Sequence, residues 1–325
     1  MVSDRTGEIF ERQFDSIRFH VARDDAHWME RYAKRDRPVE MVTDFGCGVQ
    51  FTPHLMVETL AVCERLGIDT LGVVGPQFCC GQPYRGDGKD ASGDAMADHA
   101  FERMSQLQPL AMTQWCGAAL AQFSKRADAG AQSAEVVHLT GYLARRVEEL
   151  GEAAPWKRVD AKVLVHLKSQ DPMPFTDRGP AMRQSDMVPA MLARIPGLEV
   201  VGDLRSLPSS LPCEEGMDKR DDAGIALLKE ELAAAIKTAG ADRLVCVHHQ
   251  CFREWGKLAS DGVQVQHYIS VLAEALGVAQ PDRYHRYWEQ RDPDAAVEQA
   301  REEWSSWGMS EGQARTIARR IFGRK

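Results

Sequence analysis

The chain has 325 residues, of which 44% are hydrophobic, and this composition is sufficient for two domains with buried cores. Its formal net charge of -8 and sequence pI of about 5.7 argue against nucleic acid as the main partner, because a phosphate-binding face is normally basic. The polar N-terminus has no apolar signal segment, and no apolar run approaches the ~20 residues of a membrane-spanning helix, so a cytoplasmic protein is expected.

The first half of the sequence is typical of a parallel α/β domain. Residues 1–38 are charged and helical in pattern, and we expect them to form a docking arm or cap. Short apolar strands then alternate with helical segments, as in chains of βα units. The predicted strands are 39–43, 70–74 and 109–113, and the predicted helices are 53–66, 91–107 and 117–126. Segments 136–137 and 139–150 complete the first unit.

The second half repeats this order of elements. Its predicted strands are 161–167, 199–201, 244–247 and 263–265, and its predicted helices are 187–195, 223–239 and 269–276. The repetition predicts two pseudo-repeated parallel-sheet α/β domains with helical N- and C-terminal extensions. The predicted limits are 1–38 for the arm, 39–155 and 156–280 for the two domains, and 281–325 for a charged helical tail.

Four cysteines have the most informative placement in the sequence, namely Cys47, the adjacent pair Cys79 and Cys80, and Cys116. Each follows a predicted strand and precedes a predicted helix. The carboxyl ends of parallel strands share one edge of a sheet, so we expect these thiols to surround one site. Without an export signal, cysteines favour a metal or redox role over disulfides, and soft metals prefer thiolates. The spacing therefore predicts a bound iron–sulfur cluster, whereas Cys63, inside a predicted helix, is expected in the core.

Segment 78–83, with the sequence FCCGQP, closely resembles the motif of the cysteine-rich CCG domain proteins. This family includes the B subunit of heterodisulfide reductase, the iron–sulfur subunit of glycolate oxidase and the lactate-utilisation iron–sulfur protein. The resemblance implies that Cys47, Cys79, Cys80 and Cys116 bind a [4Fe-4S] cluster, which is non-cubane in heterodisulfide reductase-like members. Ala119 stands where the family has a further cysteine.

The resemblance implies an iron–sulfur redox subunit of a heterodisulfide reductase-like complex, an oxidoreductase that passes electrons to or from a disulfide, thiol or persulfide. It also implies partners: a ferredoxin-like iron–sulfur subunit, a flavin subunit and, in sulfur-oxidising complexes, a lipoyl carrier protein. Two alternatives stay open. One is a non-catalytic scaffold or zinc-binding subunit of such a complex, and the other is the iron–sulfur subunit of a lactate- or glycolate-type oxidase.

The second half departs further from the family motif. Ser169 falls where the family has its first cysteine, and the Cys-Cys-Gly group is reduced to a single cysteine. One interpretation is a mixed site that holds zinc or an altered cluster, since imidazole suits both. The alternative is a degenerate domain retained for packing or partner contacts. The candidate ligands of the mixed site are Cys213, His248, His249 and Cys251.

Overall fold

A computed structural model describes residues 5–26, 38–130, 134–167, 184–209, 217, 220–260 and 262–323. The described residues fall into two compact units, one drawn from residues 1–142 and 282–325 and the other from residues 143–281. Each unit contains one four-stranded parallel sheet. The predicted fold class is therefore confirmed, while the predicted domain limits stay a prediction.

The first unit is organised around a sheet with the strand order β2-β1-β3-β4. Its strands are β1 (Met41–Asp44), β2 (Thr70–Val73), β3 (Ala111–Gln114) and β4 (Glu135–His138). The chain begins with α1 (Arg5–His20) and continues through α2 (His54–Arg65), α3 (Gln82–Gly86), α4 (Asp90–Ser105), α5 (Gly117–Ala129) and α6 (Leu139–Leu150). Short 3₁₀ turns at Val49–Phe51 and Pro76–Phe78 follow β1 and β2.

The inner strands of this sheet are buried along their whole length, as parallel strands covered on both faces are. Met41 and Val42 supply the apolar part of β1. The buried Thr43 hydroxyl lies 3.0 Å from the hydroxyl of Thr113 and 3.2 Å from that of Thr70. These side-chain hydrogen bonds explain how a partly polar segment forms a central strand.

The second unit repeats the first, with the strand order β6-β5-β7-β8. Its strands are β5 (Ala161–His166), β6 (Leu198–Leu204), β7 (Arg243–Cys246) and β8 (Gln264–His267). Its helices are α7 (Gln184–Leu192), α8 (Asp222–Ala239), α9 (His249–Trp255) and α10 (Tyr268–Leu276). The same order in both sheets agrees with the duplication inferred from the sequence.

The C-terminal extension is helical and packs against the N-terminal helix of the first unit. It consists of α11 (Arg283–Gln290), α12 (Pro293–Gln299), α13 (Arg301–Ser306) and α14 (Glu311–Phe322). Phe19 of α1 is fully buried, with ring centroids 6.1 Å from Tyr287 and 6.0 Å from Phe322. The Trp307 indole donates a hydrogen bond of 2.8 Å to the Val21 carbonyl. In the described part of the chain, no helix combines the length and apolarity needed to cross a membrane.

Candidate functional site

One carboxyl group and four thiols lie together at the carboxyl edge of the first sheet, and we name them the thiol cluster. Its members are Asp44, Cys47, Cys79, Cys80 and Cys116. Cys47 interacts electrostatically with Cys116, Cys79 and Asp44, and Cys80 interacts with Asp44, Cys116 and Cys79. The structure thus brings together the four cysteines that the sequence singled out and adds a buried acid to them.

Asp44 and Cys47 are positioned by the turn that follows β1. Asp44 is the last residue of that strand, and the Gly46 N–H donates a hydrogen bond of 2.8 Å to Asp44 Oδ1. Gly46 has φ +62, and a Cβ atom at this position would lie 3.7 Å from Cys116 Cβ. The Gln50 side chain donates to the Gly46 carbonyl at 2.6 Å. The turn therefore brings the segment that carries Cys47 close to Cys116.

Cys79 and Cys80 are held by a turn that requires glycine. Gly81 adopts φ +79, and a Cβ atom there would lie 1.9 Å from the carbonyl oxygen of Gly93. The Gly81 N–H donates to Cys79 Sγ at 3.3 Å. The Arg85 guanidinium donates to the Cys80 carbonyl at 3.0 Å and also pairs with Asp94. The Cys-Cys-Gly sequence therefore has a local structural reason at its third position.

Cys116 lies between β3 and α5, directly before the first helical residue. Its carbonyl accepts a hydrogen bond of 2.9 Å from Leu120 N–H, so its peptide belongs to the start of the helix. The N–H groups and partial positive charge of a helix N-terminus lie at this point. Cys116 and Cys47 are partly exposed, whereas Cys79 and Cys80 are buried. The first two thiols are therefore the ones that a molecule in solvent can reach.

Asp44 has the environment of a proton-transfer group. Burial raises its pKa from 3.8 to about 7, although the hydrogen bond from Gly46 N–H works in the opposite direction. The residue is 2% exposed. Its second carboxyl oxygen, Oδ2, is buried and has no hydrogen-bond partner among the residues that the structure describes. A buried carboxyl with this pKa gains or loses its proton near neutral pH.

Three of the thiols around Asp44, those of Cys47, Cys79 and Cys80, hold their protons more tightly than free cysteine does. Burial raises the pKa of Cys47 to about 12, and Cys116, Cys79 and Asp44 add to the shift. Burial also raises the pKa of Cys79, against the effect of its hydrogen bond from Gly81, and raises the pKa of Cys80. These three thiols are therefore neutral at neutral pH, and Asp44 is the acid beside them that ionises first.

The second unit presents a different set of side chains at the equivalent edge. His248 directly precedes α9, and His249 and Cys251 lie within its first turn, while Cys213 lies outside the described residues. Burial lowers the pKa of His249 to about 3, and Arg253 and His248 lower it further. Cys251 is buried. The structure therefore groups three of the four candidate ligands predicted for this half.

Asp44 was missed by the sequence analysis. It belongs to no motif, and a single aspartate in a chain rich in acidic residues attracts no attention. The available signal was its place, because an ionisable side chain that ends a buried central strand lies at the edge where ligands bind α/β sheets.

No family model matches this chain, and no curated protein matches it. Among solved structures, it is similar to an Asp/Glu racemase-like protein from Yersinia pestis, with 10% identity and a TM-score of 0.38, over 73% of this chain and 97% of that one. It is also similar to an aspartate racemase homologue from Pyrococcus horikoshii OT3, with 10% identity and a TM-score of 0.30, over 73% of this chain and 99% of that one. Similarity at this level provides no argument for an activity of this chain.

The expected membership of the CCG family is wrong, because no family model matches this chain. The iron–sulfur redox function, in its heterodisulfide reductase-like form and in its scaffold, zinc-binding and oxidase alternatives, is corrected as well, because no family model supports it and no group of three or more His, Cys, Asp or Glu among the described residues could hold a metal ion. The ferredoxin-like, flavin and lipoyl partners that the resemblance implied are untested and stay predictions.

The expected [4Fe-4S] cluster and the possible zinc ion are corrected as well. Within the described ranges, no group of three or more His, Cys, Asp or Glu side chains is arranged to hold a metal ion. The physical reason for the wrong prediction lies in the topology. In a parallel sheet, the turns that follow the strands all lie at the same edge, whether or not their side chains bind a metal. Cysteine spacing thus indicated that the thiols approach one another, but it did not specify the short, regular distances that a shared metal centre requires.

Proposed function

We propose that the thiol cluster is an acid–base site that moves a proton to and from carbon in a small substrate, as isomerases and epimerases do. The observation that supports this proposal is the buried Asp44 carboxyl, whose pKa is raised to about 7 beside the cluster's thiols. General acid–base catalysis is most effective when the pKa of the catalytic group lies near the operating pH. Groups shifted in this way by burial are concentrated at functional sites.

The order of the pKa values defines a complete proton cycle. The Asp44 carboxylate removes a proton from the substrate carbon, and a neutral thiol such as Cys47 donates its own proton to the resulting carbanion. The carboxylic acid of Asp44 then returns its proton to the thiolate, a favourable transfer because the two pKa values are about 7 and about 12. The substrate loses one proton and gains one, so charge and electrons balance.

The raised pKa values argue against a nucleophilic role for Cys47, Cys79 and Cys80. Nucleophilic cysteines are activated by a lowered pKa, because the thiolate is the reactive form. Burial raises the pKa of Cys47, Cys79 and Cys80 instead. These groups therefore suit proton donation better than attack on a carbon or sulfur atom.

Exposure assigns the substrate side of the cluster to Cys47 and Cys116, with Cys79 and Cys80 behind them. The N-terminus of α5, next to Cys116, offers backbone N–H groups to an anionic part of the substrate, such as a carboxylate. A small carboxylic acid with an acidic C–H bond fits both features.

The proposal is tested by hydrogen exchange between a substrate carbon and solvent. The purified chain is incubated in D₂O with a panel of amino acids and 2-hydroxy acids, and loss of the C–H signal is followed by NMR. Aspartate and glutamate are the first choices, since each is a small carboxylic acid with a C–H bond next to a carboxylate. We expect exchange by the wild-type protein, and a loss of at least ~100-fold in Asp44→Asn because its amide cannot accept the proton.

Asp98→Asn is the matched control, because Asp98 lies on α4 outside the cluster and pairs with Arg126 at an exposed position. This variant is expected to exchange at the wild-type rate. Equal rates in wild type and Asp44→Asn would remove Asp44 from the mechanism. A folded wild-type protein that exchanges no acid of the panel would contradict proton transfer as the function.

A further inference from the structure

Two histidines occupy equivalent places in the two sheets. His138 ends β4 and precedes α6, and His267 ends β8 and precedes α10. Both rings are buried. Both ring nitrogens of His138 contact backbone groups.

The His138 ring bridges two backbone groups. Nδ1 accepts a hydrogen bond of 3.2 Å from Thr140 N–H, and Nε2 lies 3.1 Å from the Trp115 carbonyl oxygen. A nitrogen that accepts from a peptide N–H carries no proton, so the proton of the neutral ring is on Nε2, which donates to Trp115. This bridge joins the start of α6 to the turn between β3 and α5.

Trp115, whose carbonyl contacts His138, is also held through its own N–H group. The Trp115 N–H donates a hydrogen bond of 3.3 Å to the carbonyl of Asp44, at the end of β1. Trp115 therefore has its N–H fixed by the central strand and its carbonyl fixed by His138. We call this pair of hydrogen bonds the clamp. The next residue is Cys116, so the clamp fixes the backbone from which the Cys116 side chain projects.

The second unit contains the same clamp. His267 Nδ1 accepts from Ile269 N–H at 3.3 Å, and His267 Nε2 lies 3.1 Å from the Val247 carbonyl. Val247 N–H donates to the His166 carbonyl at 3.3 Å. The next residue there is His248, so each clamp directly precedes a side chain capable of proton transfer.

We infer that His138 is a positioning residue for Cys116, which it orients by fixing the Trp115 peptide against the end of the central strand. Helix capping alone does not account for it, since Ser, Thr, Asp or Asn would supply the acceptor that α6 needs. Only a side chain with a second polar atom on its far side also reaches the Trp115 carbonyl. The inference rests on the proposed function only in treating Cys116 as part of the acid–base site.

The test distinguishes the hydrogen bond that caps α6 from the hydrogen bond to the Trp115 carbonyl. His138→Asn keeps an acceptor for Thr140 N–H but is too short to reach Trp115, whereas His138→Gln places an amide N–H near the position of Nε2. The full-length variants are treated with iodoacetamide over a range of pH, and the alkylation of Cys116 is followed by peptide mass spectrometry. We expect His138→Asn to change the pH–rate profile of Cys116 alkylation. The same variant should lower the rate of hydrogen exchange at the substrate carbon on the order of 10-fold, with KM little changed. His138→Gln should restore both the profile and the exchange rate.

His267→Asn is the matched control, because it breaks the same bridge in the other unit. It is expected to lower the melting temperature about as much as His138→Asn does, while Cys116 keeps its wild-type profile. If His138→Asn does not fold, His138→Thr, another capping residue without the second nitrogen, replaces it in the measurement.

A Cys116 profile unchanged in the folded His138 variant, or changed equally in His267→Asn, would overturn the inference. Alkylation needs no substrate, so this result is independent of the proposed function. A profile that moves while the wild-type protein exchanges no carbon acid would support the positioning role and contradict the proposed function.

Discussion

The two units share a scaffold and differ in the chemistry placed on it. The central strand ends in Asp44 in the first unit and in His166 in the second, and the neighbouring strands end in Gln114 and Cys246. The residue that follows the clamped one is Cys116 in the first unit and His248 in the second, the clamped residues being Trp115 and Val247. The hydrogen bonds from Trp115 N–H to the Asp44 carbonyl and from Val247 N–H to the His166 carbonyl are both 3.3 Å long, so the units differ at this point in their side chains.

This difference shows what a duplicated fold retains. Strand order and the turns after the strands decide where side chains meet, and substitution at those places decides what the edge can do. The first unit gathers an acid with thiols. The second gathers imidazoles, including His166, whose ring stacks on Trp255 with centroids 3.9 Å apart.

The largest effect is expected from the turn that carries the cysteine pair, because the first unit depends on a glycine there. Gly81→Ala combines φ +79 with a Cβ atom 1.9 Å from the Gly93 carbonyl oxygen. We expect it to lower the free energy of unfolding by about 3 kcal/mol, from backbone strain and the clash together. Chemical denaturation of the purified variant measures the loss.

Gly88→Ala is the control for this change. Gly88 has φ +74, but nothing lies within 4 Å of a Cβ atom built there. Only the left-handed backbone opposes alanine, so we expect a loss of about 1 kcal/mol. Equal losses in the two variants would show that the close approach of Gly81 to Gly93 does not support the first unit.

The fold was largely predictable, because apolar periodicity marks elements in a parallel α/β chain. Helix 223–239 was predicted within one residue of its observed ends, Asp222–Ala239, and most strands were placed within a few residues. β6 (Leu198–Leu204) was predicted too short, because its last residues are polar and include Gly202, which are features of a turn. The tail was predicted as helical, but its composition did not reveal that Tyr287 and Phe322 pack on Phe19.

The site was predictable only in part. The approach of the four cysteines follows from topology, which the sequence pattern reveals. The burial of Asp44 and the proton affinity of the thiols depend on packing that no motif encodes. The family resemblance failed for a related reason, since cysteine spacing at strand ends is shared by any thiol-rich sheet edge, whatever its chemistry.

The contributions of Asp44 and His249 to the pH dependence of stability are expected to have opposite signs. The pKa of Asp44 is raised from 3.8 to about 7, so its contribution to stability is present at low pH and is lost as pH rises between these values. The pKa of His249 is lowered from 6.5 to about 3, so its contribution is lost as pH falls between these values. Asp44→Asn should therefore gain melting temperature relative to wild type as pH rises, and His249→Gln as pH falls.

Melting temperatures of both variants and of wild type, measured over the same pH series, decide this point. Gly88→Ala, which changes no ionisable group, serves as the control, with a constant offset from wild type expected. If the melting temperatures of both variants, relative to wild type, change in the same direction with pH, then Asp44 and His249 do not behave as a buried acid and a buried base.

The smallest effect concerns the coupling between Asp44 and the thiols. Burial is the main cause of the raised pKa of Cys47, followed by Cys116, Cys79 and Asp44, so removing the carboxylate relieves only part of the shift. We expect Asp44→Asn to lower the pKa of Cys47 slightly and to speed its alkylation by about 2- to 5-fold. Differential alkylation read by peptide mass spectrometry measures this change.

Cys63 provides the internal control in the same sample. Burial and then Glu40 raise its pKa to about 12, and it lies on α2 away from the thiol cluster. Its alkylation should be unchanged in Asp44→Asn. Faster alkylation of both cysteines would indicate a loosened core rather than an electrostatic effect. Unchanged alkylation of both would contradict the electrostatic coupling between Asp44 and Cys47.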